Sequence, residues 1–193
     1  MSEQTSVVTP ERFSSGLTYN DYIAQIKVNK DRFEQYYQSV EVSQDDADFF
    51  KKAVEAGVTK MLVLGEDWCP DVFRGMPVAA RISEASGMEL RVFPRDENLD
   101  IMNEFLKDGE FQSIPTVVLY TNDHDYVGHW IERPAKANEE RVQIEAEVKQ
   151  EMSGASDEEV RNTIRERTTA RFPAWQQESV REIRQLISDK AGV

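Results

Sequence analysis

Lys60-Met61-Leu62-Val63-Leu64-Gly65-Glu66-Asp67-Trp68-Cys69-Pro70-Asp71-Val72 is the stretch that decides the fold. Met61 to Leu64 is a short apolar run between breakers, the signature of a buried strand. Pro70 suits the first turn of a helix, because its missing N–H has no intrahelical partner there anyway. Helical spacing then runs through Val72, Met76, Ala79, Ala80 and Ser83 and stops at Gly87. Cys69 is therefore expected at the helix start, facing unpaired backbone N–H groups and the positive end of the helix dipole. Both favour a thiolate. Glu66, Asp67 and Asp71 oppose it, and the expected balance, with the acids solvated, is a modestly lowered thiol pKa.

Outward from this stretch, Met88, Leu90 and Val92 alternate with Glu89 and Arg91 as a second strand. Leu99 to Leu106 reads as a short helix closed by Gly109. Thr116 to Tyr120 and Tyr126 to Ile131 read as two strands of a hairpin across the polar turn Thr121–Asp125. Upstream, residues 1–17 read as a flexible arm. Thr18, with Asp21 three positions on, opens a helix whose apolar positions run from Tyr22 to Val40. Ser43 opens another that buries Phe49, Phe50, Ala53 and Val54 and ends at Gly57. From Ala135 onward the pattern is all helical. Ser156 and Glu159 match a capping box, and Pro173 suits the first turn of a last helix burying Trp175, Val180, Ile183, Leu186 and Ile187. The division is thus an arm (1–17), a domain (18–134) and a helical extension packed on it (135–193). The stripe of Val142, Val148, Val160 and Ile164 is narrow enough to leave a face for a partner chain, and a homodimer through these helices is one such arrangement.

The chain has 193 residues, 36 acids against 23 bases, and a net charge of −13. So acidic a body repels phosphate backbones, so nucleic acid is not an expected partner. No apolar run approaches the ~20 residues of a membrane span, and no secretory leader or membrane partner is expected. One cysteine cannot form an intrachain disulfide, which points to a reducing cytoplasm.

The order of elements around Trp68-Cys69-Pro70-Asp71 resembles the thioredoxin-like superfamily over about residues 58–131. Pro77 stands where that family kinks its helix, and Ser113-Ile114-Pro115-Thr116 resembles its cis-proline loop. Glu66 to Asp71, Arg95-Asp96-Glu97-Asn98 and Trp130-Ile131-Glu132-Arg133-Pro134 together are similar to a bacterial thioredoxin-like group with an E-D-W-C-x-D motif. The resemblance implies an α/β fold, a central four-stranded mixed sheet flanked by helices, here with N-terminal and C-terminal helical extensions. It also implies Cys69 as the nucleophile, with Trp68, Ile114 and Pro115 shaping the surface that receives a thiol or disulfide. Asp71, Val72 and Arg74 complete the expected substrate-binding and tuning set, and Arg74 and Arg133 are candidates for binding an anion.

The family's second cysteine is replaced by Val72, and no other thiol exists to resolve a mixed disulfide. A dithiol reductase is excluded, and the apolar Met61–Leu64 strand offers no buried acid as proton acceptor. Monothiol exchange with protein or small-molecule thiols, glutathione among them, is one expectation. A redox-inactive binding or assembly module is the other. No cofactor or metal is expected. His124 and His129, with Asp123 and Asp125, are better read as a hairpin turn than as ligands. Arg161, Arg165 and Arg171 read as a solvated helix face neutralised by Asp157, Glu158 and Glu166.

Overall fold

The structure, a computed structural model, describes residues 6–193. The apolar run reads through as β1 (Val58–Gly65), in which Met61 to Leu64 are fully buried. β1 pairs in parallel with β2 (Glu89–Pro94) and antiparallel with β3 (Thr116–Thr121), which pairs antiparallel with β4 (Tyr126–Ile131). The order β2-β1-β3-β4 makes a four-stranded mixed sheet flanked by helices, a thioredoxin-like architecture. No helix among the described residues is long and apolar enough to cross a membrane.

The expected arm is structured from Val8 on, while its first five residues lie outside the described ones. Thr9 caps α1 (Pro10–Ser14), and Phe13 is buried edge-on against Tyr120. Leu17 and Val92 exchange backbone hydrogen bonds at 3.0 and 2.8 Å, which places the segment against the β2 edge. A buried aromatic and an edge-strand bridge anchor what composition alone marks as loose.

The helix expected from Thr18 to Val40 is two helices, α2 (Tyr19–Gln25) and α3 (Lys30–Ser39). The break has a chemical cause. Asp67 Oδ2 accepts the Lys27 and Val28 amides at 2.8 and 3.2 Å, and Asn29 Nδ2 donates to Asp67 O at 2.9 Å. Asn29 adopts the left-handed conformation that asparagine tolerates. The loop beside Cys69 thus supplies the partners that a continuous helix would have found in itself. Ser43 caps α4 (Gln44–Glu55) through the Asp46 amide at 3.1 Å. α5 runs from Pro70 to Ser86, with Gly87 left-handed at its end. The expected Leu99–Leu106 helix shrinks to α6 (Leu99–Met102), because Lys107 and Phe111 pair their backbones around the left-handed Asp108 and Gly109.

The C-terminal residues form α7 (Ala135–Glu151), α8 (Asp157–Ala170, opened by the Ser156/Glu159 capping box) and α9 (Phe172–Ala191). α9 lies against β4, α5 and α4 and buries Trp175, Val180, Ile183 and Ile187. Glu182 accepts Trp130 Nε1 at 2.7 Å and the Ala135 amide at 2.8 Å, so one carboxylate joins sheet, α7 and α9. Of the apolar stripe, Val148 is buried, Val160 and Ile164 are half-buried, and Val142 is 70% exposed.

Gly75 on α5 is pressed against the proline loop. A Cβ there would lie 2.9 Å from Pro115 Cγ. Gly75→Ala is expected to cost about 1–3 kcal/mol by overpacking. Urea unfolding should show a lowered midpoint at unchanged slope. An unchanged midpoint would mean that the helix and the proline loop are not pressed together.

Candidate functional site

Cys69 is the N-cap of α5 in an extended conformation, and its carbonyl accepts the Val72 and Phe73 amides at 3.0 and 3.1 Å. The thiol is half-buried, and Sγ lies 3.9 Å from the Ile114 carbonyl. The Ile114–Pro115 peptide bond is cis. The loop expected beside the sulfur is therefore beside it.

The residues around the thiol interlock. Glu66 Oε1 accepts the Asp96 amide at 2.7 Å, which fixes the loop after β2. Arg95 lies over the exposed Trp68 ring at 5.4 Å, a cation–π contact. Asp71, 8% exposed, accepts Arg74 Nη2 at 2.9 Å with one oxygen and Arg133 Nη2 at 2.8 Å with the other. Arg74 is fully buried and also donates to the Glu132 carbonyl at 3.1 Å. Its guanidinium sits over the Phe172 and Trp175 rings at 5.7 and 5.8 Å.

Three expectations change. Val72 is fully buried, its methyl groups so close to Gly65 that a Cβ there would meet Cγ1 at 2.7 Å. It has no surface to offer a substrate. Arg74 is committed to Asp71 and the aromatic rings, so it is an interior strut rather than an anion ligand. The thiol pKa moves up, not down. Burial is the largest cause, and repulsion from Asp71 adds to it. The Val72 and Asp71 amides and the positive charge of Arg133 pull it back only in part. The S–H to Ile114 contact also favours the protonated form. The helix start does favour the thiolate, but by less than desolvation opposes it.

His124 and His129 serve packing. His124 stacks on Tyr120 at 4.7 Å with Nε2 2.9 Å from the Val8 carbonyl, and His129 Nδ1 meets Tyr126 Oη at 2.6 Å. Arg171 pairs with Glu140 at 2.9 and 2.8 Å, and with Trp175 Nε1 this holds the Glu140 carboxyl at about 2. Arg161 and Arg165, by contrast, make no ion pair among the described residues and turn toward the Cys69 side. They line a cavity of about 660 Å³ together with Arg32, Arg133, Arg141 and Trp68. No contiguous motif in the sequence marks that grouping. Its one local trace is Arg161 and Arg165 at i and i+4, a like-charge pair that costs an isolated helix stability.

A family model described as "Thioredoxin" matches residues 16–153. The chain belongs to this thioredoxin family. Among curated proteins no relative was found. Two solved structures share the fold: a protein of unknown function from Pseudomonas aeruginosa (TM-score 0.66, 14% identity, 94% of this chain and 98% of that one) and an HIV epitope-scaffold (TM-score 0.65, 15% identity, 96% and 99%). Both alignments span nearly the whole of either chain, so the likeness includes the helices outside the thioredoxin-like sheet.

The thiol environment makes a prediction. Iodoacetamide alkylation of Cys69 should keep accelerating with pH beyond the ordinary thiol midpoint of 9.0, because burial holds the proton on. Arg133→Gln removes a charge that favours the thiolate, so it should slow alkylation several-fold at pH 8. A rate that levels off below pH 8 would show a depressed thiol and contradict the desolvation account.

Proposed function

We propose that this protein is a monothiol thiol–disulfide exchange protein of the cytoplasm, with Cys69 as its reacting group. The observation that carries the reading is a single, half-buried thiol at a helix N-cap, 3.9 Å from the carbonyl of a cis-proline loop. An extended partner laid along Ile114 and Pro115, beside the exposed Trp68, would bring a disulfide to Sγ. The Cys69 thiolate attacks one sulfur of that disulfide. A new S–S bond forms, the old one breaks, and the leaving thiolate takes up a proton. With no second cysteine in the chain, an external thiolate attacks the mixed disulfide and releases Cys69. That attack joins the external sulfur to the remaining half of the substrate in a new disulfide, so one turn is an exchange, and full reduction of a substrate disulfide takes a second equivalent of the external thiol, glutathione or a protein thiol. Asp71 and Arg133 set the charge at the sulfur, and Arg74 acts through Asp71 as a positioning residue.

The raised thiol pKa favours a second reading. A thiol held protonated is slow to attack, and a chain whose C-terminal helices brace the site suits a redox-inactive binding module.

Supplied with thioredoxin reductase alone, the protein should not reduce insulin disulfides, whereas with glutathione it should turn over small glutathione mixed disulfides. Cys69→Ser should abolish that turnover without lowering the unfolding free energy by more than ~1 kcal/mol, the centre of the range for single substitutions. Robust insulin reduction without an added thiol would refute the monothiol reading. Absence of turnover with glutathione, at a pH where the thiol alkylates, would leave the binding module as the function.

A further inference from the structure

In a chain of net charge −13, one concave surface has the opposite sign. The cavity of about 660 Å³ beside Trp68 and Pro70 is lined by Arg32, Arg133, Arg141, Arg161 and Arg165. Asp71 is the sole carboxylate among its lining residues, and both its oxygens are already occupied by Arg74 and Arg133. The arginines come from four places: α3, the end of β4, α7 and α8. Among the described residues Arg32, Arg161 and Arg165 have no ion-pair partner, and Arg141 reaches only Asp71, at 3.9 Å. Convergent like charges of this kind raise the energy of the empty protein, and an anion relieves it.

We propose that this cleft binds a small organic phosphate carrying at least two negative charges and a planar or apolar group. Three observations select that chemistry. The cations are all arginine, whose fixed fork matches the oxygens of a phosphate in pairs. Along α8, Arg161, Ile164, Arg165 and Thr168 fall on one face, so guanidinium forks, an apolar side chain and a hydroxyl donor are offered together. Phe73, Phe172 and Trp68 provide an aromatic floor, with Arg32 already 5.9 Å from the Phe73 ring. The volume falls in the range of small-molecule sites. Walls formed by α3, α7 and α8 suit a compact ligand better than an extended acidic peptide. The cleft lies between the thioredoxin-like sheet's site and the C-terminal helices, and this gives α8 a role that packing alone does not. Whether Cys69 reacts plays no part in the inference.

The test is isothermal titration of the full chain at low salt with ADP, pyrophosphate, orthophosphate and a hexaglutamate peptide as probes. ADP should bind most tightly, pyrophosphate less, orthophosphate least, and each should weaken as salt is raised. Arg161→Ala combined with Arg165→Ala removes two charge-assisted contacts and should weaken ADP about 100-fold. Both side chains are exposed, and an unchanged circular dichroism spectrum will confirm that the variant is folded. Arg181→Ala, an exposed arginine on α9 paired with Glu178, should leave binding unchanged. The proposal is overturned if neither ADP nor pyrophosphate binds, if the double variant binds as well as the parent, or if hexaglutamate binds more tightly than ADP. Pyrophosphate binding as tightly as ADP would overturn the role given to the aromatic floor.

Discussion

A guanidinium sealed in the interior constrains everything around Cys69. Arg74 has no solvent exposure, and removing such a charge from water costs several kcal/mol. The fold offsets that cost with Asp71, the Glu132 carbonyl and two aromatic faces from α9. The Arg74 carbonyl in turn accepts Gln176 Nε2 at 2.9 Å, and the same amide reaches the Tyr36 carbonyl at 3.0 Å. One residue of the site helix therefore ties α3, the end of β4 and α9 together. Removing Asp71 would strand the buried Arg74 charge, a loss of about 3–5 kcal/mol. That is why the C-terminal helices belong to the site and are not an appendage.

The same arrangement decides the character of the thiol. The Asp71 carboxylate that holds Arg74 and Arg133 also repels a thiolate at Cys69, two residues before it. Burial of Cys69 against the Ile114 loop adds the larger penalty. Arg133 partly compensates, and it is also the residue that links the thiol's surroundings to the arginine-lined cleft. Structural integrity and thiol acidity are therefore in competition at Asp71.

What could be read from the sequence was local. Pro70 and Gly87 mark both ends of α5, Ser156 and Glu159 mark the start of α8, and the apolar run marks β1, since each signal acts within a few residues. The position of Cys69 beside the Ile114–Pro115 loop was legible through family resemblance. What escaped was set by distant partners. Asp67 breaks the helix expected from Thr18 to Val40 from some forty residues away. Arg74, expected to tune the site and to be able to bind an anion, is interior instead: its acid, Asp71, is local on α5, but its aromatic cover, Phe172 and Trp175, comes from the C-terminal helix. The sign of the thiol shift depended on burial depth, which no spacing encodes. The arginine cleft draws on four elements, so no contiguous motif announces it.

As a monothiol exchange protein, as proposed, the folded chain would present one reachable thiol that exchanges and cannot resolve itself. Incubating the native chain with glutathione disulfide at pH 8 and reading intact mass over time tests it most directly. The expected product is an adduct of one glutathione on Cys69 that forms slowly, faster as pH rises, persists without added thiol, and is released by one. No adduct on the native protein, with rapid adduct formation once urea unfolds it, would contradict the claim and show that the fold shields Cys69 rather than presenting it.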